Sequence, residues 1–312
     1  MASLSNDTKN YRTFSSYLKE IFGCRVHKIS IDAGFTCPNR DGTCGTGGCT
    51  YCNNDSFSYN TARSRASVEE QLEEGMTYVR KRFGAKKFIA YFQAYSSTYS
   101  SPDRLKKTYD IVKSYPEIVG LFISTRPDCA AEEVLDLISS YRESYLTWLE
   151  LGLQSASDRT LKRINRGHTV ADFSDAVARA NKHGLPVCAH VILGLPGETR
   201  KEMLETARYL GSLKVQGVKI HALHLVKNTL LAAEYQSRAF PLLTLPEYAS
   251  LVCDLLERIP SDTVVQRIAV DVPGEMLVGP EWCIKKRKTM AAVQEEFKRR
   301  NSRQGILSGD AA

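Results

Sequence analysis

The feature that most constrains this chain is a regular alternation of apolar, strand-length runs with amphipathic helical stretches. Near-continuous apolar runs between helices are typical of strands in a parallel sheet that is covered on both faces. Six such units are too few for a complete eight-unit barrel. A curved, open six-unit barrel and a doubly wound sheet both remain, and the periodicity does not decide between them. The predicted strands cover residues 27–32, 87–94, 119–125, 146–153, 186–195 and 218–226.

The pattern changes on either side of this alternating region, which predicts three parts. Residues 1–24 form a lead-in with one short amphipathic helix. Residues 25–240 hold the alternating α/β unit. Residues 241–312 form a C-terminal extension that packs on this unit and ends in a basic helix from Pro280 to about Arg299.

A glycine-rich loop after the first predicted strand contains four cysteines, Cys37, Cys44, Cys49 and Cys52. A chain of 312 residues buries a sizeable core without covalent staples. The sequence has no apolar run of the roughly 18 residues that a membrane span needs, and its start lacks the apolar region of a secretory signal. We therefore expect a cytosolic protein without a membrane partner, in which clustered thiols stay reduced and bind a metal.

The spacing of these cysteines favours iron over zinc. Structural zinc sites usually offer two CxxC pairs or a cysteine pair with histidines. This loop has one such pair, Cys49 and Cys52, and no histidine lies between Cys37 and Cys52. Three thiolates can bind three irons of a four-iron cluster and leave the fourth iron open for a substrate or cofactor.

The formal net charge of +7 is concentrated near the C-terminus. Between Lys285 and Arg303, eight lysines and arginines face two glutamates, which gives a local charge of 8 − 2 = +6. A solvated helix followed by a frayed tail would account for this charge. A surface that binds a polyphosphate would account for it as well, because lysine and arginine neutralise phosphates and release counterions.

Two motifs in the cysteine loop resemble those of the radical SAM superfamily, and more narrowly of its YhcC/YtqA-like branch. The motifs are FTCPNRDG at 35–42 and GGCTYCN at 47–53. Proteins of this branch are short relatives of the Elongator catalytic subunit and lack its acetyltransferase domain. The resemblance implies a partial (β/α)6 TIM-like barrel with a C-terminal extension. It also implies a [4Fe–4S] cluster held by Cys37, Cys49 and Cys52, with Cys44 as a bystander.

The same resemblance implies that polar groups at successive strand ends bind S-adenosylmethionine. Glu150 and Gln154 are four residues apart in one predicted strand, so both face the same side. A carboxylate inside a parallel strand is costly without a partner, which makes Glu150 a strong candidate. The predicted cofactor-binding residues are Gln93, Arg126, Glu150, Gln154, Arg166 and Gly194. In the last predicted strand, His221 and His224 lie on opposite faces, and the sequence does not tell which of them faces the site.

By this resemblance the protein is an enzyme that cleaves S-adenosylmethionine to a 5′-deoxyadenosyl radical. Its expected partners are a cytosolic electron donor and tRNA, the latter bound through the basic C-terminal residues. The branch is linked to the C5 side chain of the wobble uridine, converted from carboxymethylaminomethyl toward aminomethyl. Two alternatives stay open: a radical SAM enzyme for a small metabolite or peptide, and a non-catalytic zinc protein that binds nucleic acid.

Overall fold

The computed structural model describes residues 10–56, 66–270 and 272–309. Within these residues the chain forms one seven-stranded parallel sheet in the order β1-β2-β3-β4-β5-β6-β8 and a two-stranded antiparallel pair, β7 with β9. The strands are β1 (Val26–Ile31), β2 (Lys87–Phe92), β3 (Ile118–Thr125), β4 (Leu146–Gln154), β5 (Val187–Leu193), β6 (Gly217–Ala222), β7 (Leu225–Val226), β8 (Val264–Arg267) and β9 (Leu277–Gly279).

Helices follow the strands as the alternation predicts. Most of them begin at a residue whose side chain caps the helix: Ser67 and Glu70 form a capping box, as do Thr199 and Glu202. The α-helices are α1 (Phe14–Phe22), α2 (Val68–Phe83), α3 (Pro102–Asp110), α4 (Glu132–Ser140), α5 (Asp158–Arg163), α6 (Val170–Lys182), α7 (Arg200–Leu213), α8 (Leu230–Ser237), α9 (Leu245–Glu257) and α10 (Lys286–Arg300). Within the described residues, no helix is long and apolar enough to cross a membrane.

The sheet curls into a half-barrel, which confirms the predicted partial barrel. It contains one strand more than the alternation predicts, because β8 pairs in parallel with β6. This strand comes from the predicted C-terminal extension, so the extension completes the sheet as well as packing on it. The boundaries at residues 24 and 240 stay a prediction.

The interior of the half-barrel is closed at the amino ends of its strands. An apolar layer there contains Phe122, Trp148 and Val264, and the rings of Phe14 and Tyr17 on α1 pack against it. The larger core lies on the other face of the sheet, under the helices. The interior therefore opens toward the carboxyl ends of the strands, where α/β barrels place their sites.

The basic C-terminal stretch divides between the two ends of the barrel. Helix α10 runs beside α9 in the same direction, since Trp282 bonds to Leu243 at one end and Arg300 pairs with Asp254 at the other. Strand β7 follows the carboxyl end of β6, and it pairs with β9, which comes shortly before Lys285 in the chain. Lys285 to Lys288 therefore lie toward the carboxyl ends of the strands. At the other end, Arg300 also pairs with Glu257 and Glu296 inside the protein.

A glycine in α2 allows this helix to pack closely on β1. A Cβ atom at Gly75 would lie 2.4 Å from Cγ2 of the buried Ile29. Replacing a glycine in a helix by alanine usually stabilises the helix by about 1 kcal/mol, but overpacking a core typically costs about 1–3 kcal/mol. We predict that Gly75→Ala lowers the free energy of unfolding, as measured by urea denaturation. The control is Thr77→Ala on the exposed face of α2, which should leave the free energy of unfolding equal or higher. Equal stabilisation by both substitutions would refute the close packing of α2 on β1 at Gly75.

Candidate active site

A cavity of about 210 Å³ opens at the carboxyl ends of the strands. All three predicted cluster ligands, Cys37, Cys49 and Cys52, line it. Cys44 is exposed and does not line it. The fold thus gathers at one cavity the three cysteines that the sequence motif selects, and leaves out the fourth.

The segment after α5 holds the cysteine loop in place. The backbone N–H of Thr50 donates to the Ile164 carbonyl at 3.0 Å, and Asn165 Nδ2 donates to the Gly48 carbonyl at 2.8 Å. In the opposite direction, the buried Asn39 donates from Nδ2 to the Asn165 carbonyl at 2.6 Å. These bonds attach a loop without regular secondary structure to the rigid barrel.

The cysteine side chains lie beside cationic and amide donors. Cys49 Sγ is 3.5 Å from Arg166 Nη1 and 3.7 Å from Asn39 Nδ2. Burial raises the pKa of Cys52 to about 11; Cys49 adds to the shift and Arg40 opposes it. No group of three or more His, Cys, Asp or Glu side chains is close enough to hold a metal ion within the described ranges. The donor set nevertheless fits an iron–sulfur cluster, which is wider than one ion and requires thiolates stabilised by nearby donors.

Both predicted arginines line the cavity, but their donors are largely engaged within the protein. Arg126 makes a two-point contact with Asp128, with Nε–Oδ1 2.9 Å and Nη2–Oδ2 2.7 Å, and is only 2% exposed. Arg166 donates from Nη2 to the Gly152 carbonyl at 3.0 Å and from Nε to His168 at 2.9 Å. Their contact with the cofactor stays a prediction; the structure adds that Arg166 supports Cys49.

Glu150 lies in the middle of β4, fully buried beneath the cavity, which it does not line. Its Oε1 accepts from Lys28 Nζ at 2.8 Å, and its Oε2 accepts from Lys219 Nζ and contacts His190 Nε2 at 2.9 Å. Burial raises the pKa of Glu150, but the attraction of Lys219 and Lys28 outweighs it and holds that pKa well below the usual range. The sequence predicts a partner for this buried carboxylate, and the structure provides two lysines. The contact between Glu150 and the cofactor stays a prediction.

The other predicted cofactor residues occupy strand ends. Gln93 and Gln154 line the cavity, whereas Gly194 does not and instead packs against Leu243. Gln154 has φ +72°, and Tyr95, which also lines the cavity, has φ +57°. Such conformations cost non-glycine residues about 1–3 kcal/mol and concentrate at functional sites. The strained backbone of these two residues lowers the stability of the fold and holds their positions in the cavity lining.

Both histidines left open by the sequence line the cavity. Burial lowers the pKa of His221 well below its usual range, with Arg267 and His190 adding to the shift. Burial likewise lowers the pKa of His224. Neutral imidazoles can donate and accept hydrogen bonds, so both are suited to contact a bound molecule.

Sequence reasoning gave no role to four polar residues of the interior: Lys28, His190, Lys219 and Arg267. Three of them, His190, Lys219 and Arg267, line the cavity. A sequence signal existed for Lys28 and Lys219, since a lysine within an apolar strand requires a buried counterion, as Glu150 does. Nothing in the sequence could place β8 beside β6, so the position of Arg267 required the structure.

The fold, the cavity and its three cysteines define an enzyme of the radical SAM superfamily, to which this chain belongs. The Radical SAM superfamily model matches residues 40–210, and the Radical_SAM C-terminal domain model matches residues 215–299. The match confirms the predicted family and its cofactors, a [4Fe–4S] cluster and S-adenosylmethionine. It also identifies the chain as an enzyme.

Similar proteins span almost the whole chain. YtqA of Bacillus subtilis is 38% identical over 96% of this chain and 94% of its own length. YhcC of Escherichia coli is 40% identical over 86% of each chain. Among solved structures, the archaeal Elp3 of Methanocaldococcus infernus has a TM-score of 0.65 at 18% identity; the match covers 89% of this chain and 64% of that one. This last likeness shows a shared fold.

A more distant match falls on half of the chain. The tRNA uridine(34) acetyltransferase of Dehalococcoides mccartyi is 28% identical over 50% of this chain and 34% of its own length.

Neutralising Glu150 should destabilise the whole barrel. In a Glu150→Gln variant, Lys28 and Lys219 lose their shared anion, and removing one member of a buried ion pair costs about 3–5 kcal/mol. Burial already lowers the pKa of both lysines. Without the attraction of Glu150 these pKa values fall further, so the folded variant binds fewer protons than the folded wild type, while the two unfolded states bind equally many. The deficit should therefore shrink as the pH rises from about 7 to 9.

Urea denaturation at both pH values measures this effect. The matched control is Glu205→Gln, which removes a carboxylate that pairs with Arg208 on the surface. It should change the stability by no more than about 0.5 kcal/mol. A Glu150→Gln variant as stable as this control would show that the lysines do not depend on the carboxylate.

Proposed function

We propose that this protein is a radical SAM enzyme that modifies the C5 side chain of the wobble uridine in tRNA. The observation that carries the catalytic part is the convergence of Cys37, Cys49 and Cys52 on one cavity of a half-barrel. Cys44, in the same loop, is excluded from that cavity. In this proposal the three thiolates hold the cluster, which together with S-adenosylmethionine supplies a 5′-deoxyadenosyl radical that abstracts hydrogen from an unactivated carbon.

The residues of the chain then have positioning tasks. Asn39 and Asn165 fix the cysteine loop on the barrel, and Arg166 places a positive charge beside Cys49. Gln93 and Gln154, at the ends of β2 and β4, are the proposed polar contacts of the cofactor. The closed apolar layer at the amino ends of the strands limits access of water to one side of the cavity, which protects a reactive intermediate. The required electron comes from a cytosolic donor.

Two observations support tRNA as the substrate. One is the distant relative whose name specifies uridine 34 of tRNA. The other is the position of Lys285 to Lys288, which are exposed and lie toward the end of the barrel where the cavity opens. A cationic surface beside a cavity lets an RNA backbone bind outside while one nucleotide enters. The proposed conversion is carboxymethylaminomethyl toward aminomethyl. Abstraction of a hydrogen atom from the carboxymethyl carbon and return of one electron to the cluster would leave an imine, and hydrolysis of its carbon–nitrogen bond by water would release the aminomethyl group and glyoxylate.

The catalytic proposal predicts different outcomes for cysteines of the same loop. After anaerobic reconstitution, Cys37→Ala, Cys49→Ala and Cys52→Ala should each lose cluster absorbance and form no 5′-deoxyadenosine. Cys44→Ala should keep both. Iron content, the visible spectrum and chromatography of the products measure this. Zinc without iron in anaerobically purified protein would refute the proposal and favour a zinc protein.

The substrate is tested with the same preparations. Wild-type protein, S-adenosylmethionine and a reductant should convert carboxymethylaminomethyluridine to aminomethyluridine in tRNA, as seen by nucleoside mass spectrometry. Formation of 5′-deoxyadenosine without any change in tRNA nucleosides would keep the radical chemistry and reject this substrate in favour of a metabolite or peptide.

The proposed tRNA-binding surface predicts that the salt dependence of tRNA binding changes when charge is removed near the cavity, and not when it is removed at the opposite end of α10. A triple Lys285→Gln, Arg287→Gln, Lys288→Gln variant should bind tRNA more weakly. It should also reduce the slope of log affinity against log salt by about 2–3, since each phosphate contact contributes about 0.9 for a duplex. Filter binding at several salt concentrations measures both.

The matched control is Lys298→Gln, Arg299→Gln, Arg303→Gln, which removes the same charge from the C-terminal end of α10 and the residues just after it. This variant should keep the wild-type slope. Equal losses in the two variants would mean that net charge, and not the surface near the cavity, governs binding.

A further inference from the structure

We infer that Arg267, at the floor of the cavity, binds a carboxylate carried by the part of the substrate that enters the barrel. We call Tyr91, His190, Lys219 and Arg267 the floor of the cavity, because they line it and lie next to the buried Glu150 or to its partner Lys219. The inference rests on the proposed function and deepens it, because the carboxymethylaminomethyl group ends in a carboxylate and the aminomethyl group has none.

Among the residues that the structure describes, positive groups outnumber negative groups beneath the cavity. Glu150 is the carboxylate that the described residues place there, and Lys28 and Lys219 both pair with it. Lys28 also lies over aromatic rings, with Nζ 4.3 Å from the Phe122 ring centre and 4.6 Å from that of Phe14, which stabilises its charge further. Arg267 then has no counterion among the described residues.

Arg267 has no internal partner in the described part of the chain. Its side chain is partly buried and lines the cavity, yet it makes no hydrogen bond or ion pair with residues 10–56, 66–270 or 272–309. The contrast with Arg126, which is held by Asp128, is informative. A guanidinium that faces a partly enclosed space without a partner costs free energy unless a ligand there accepts its hydrogen bonds and balances its charge.

The neighbours of Arg267 favour a monoanion over a phosphate. Tyr91, His190 and His221 are neutral groups, since burial raises the pKa of Tyr91 and lowers the pKa of both histidines. They can donate hydrogen bonds but add no positive charge, and the nearby Glu150 repels a second negative charge. One planar guanidinium with neutral donors matches one planar carboxylate, which it can bind through two parallel hydrogen bonds.

The test compares two anticodon stem-loop RNAs that differ in this carboxylate. One carries carboxymethylaminomethyluridine at the wobble position and the other carries aminomethyluridine. Holoenzyme with S-adenosylmethionine and no reductant should bind the first more tightly, on the order of ten- to a hundredfold. Arg267→Gln should abolish this preference without weakening the binding of the second RNA. Arg267→Lys, which keeps the charge but loses the two-point contact, should fall between them.

The control variant is Arg303→Gln, an exposed arginine at the opposite end of the barrel. It should keep the preference. Arg267→Gln should also keep or raise the melting temperature, because it removes a cation from beside Lys219 and breaks no described bond. A preference that survives in Arg267→Gln overturns the inference and leaves the proposed function intact. A weaker affinity for S-adenosylmethionine in Arg267→Gln would overturn it too, by assigning the floor to the cofactor.

A second arm needs no RNA. The holoenzyme is titrated with carboxyl-¹³C-labelled N-methylglycine, and line broadening in NMR spectra reports its binding. Broadening in wild type but not in Arg267→Gln supports the carboxylate site even if neither stem-loop binds, in which case the tRNA proposal alone has failed. Displacement by inorganic phosphate at lower concentration than by acetate would identify a phosphate site and overturn the carboxylate assignment.

Discussion

The interior of this half-barrel depends on one buried carboxylate. Glu150 on β4 binds lysines on β1 and β6 and a histidine on β5, so a single side chain links strands that are not all neighbours in the sheet. An ionised group in such a place is stable only with partners, and its partners are equally dependent on it. This mutual dependence joins β1, β5 and β6 to β4 beneath the cavity.

Above that layer, the site is assembled from parts that differ in rigidity. The strands supply Gln93, Gln154 and His221 on fixed backbone, whereas the three cysteines lie on a loop. Hydrogen bonds between Asn39, Asn165 and the loop backbone attach it to the barrel, so the loop takes its position from the segment that follows α5. A loop that carries the cysteines can wrap around an iron–sulfur cluster. The strands beneath hold the surrounding side chains in a fixed orientation.

Some residues that the sequence singled out proved to support their neighbours. Arg126 is held by Asp128, and Arg166 lies between Cys49 and the Gly152 carbonyl. The basic C-terminus likewise contains two kinds of charge: exposed lysines near the cavity and an arginine, Arg300, that ties α10 to α9. Residue type and spacing reveal that a charge is present, but its partner is set by whichever element packs against it.

The sequence by itself determined the alternating strands and helices and the parallel sheet, because hydrophobic period and capping residues are local properties. The curl of the sheet and the choice of three cysteines out of four came from the motifs that resemble the radical SAM superfamily. Only the tertiary structure decided that β8 joins the sheet, that Lys28 and Lys219 share Glu150, and that Arg267 faces the cavity without a described partner. Those relations join residues more than 40 positions apart in the chain. They follow from sheet order and register, which no single stretch of sequence encodes.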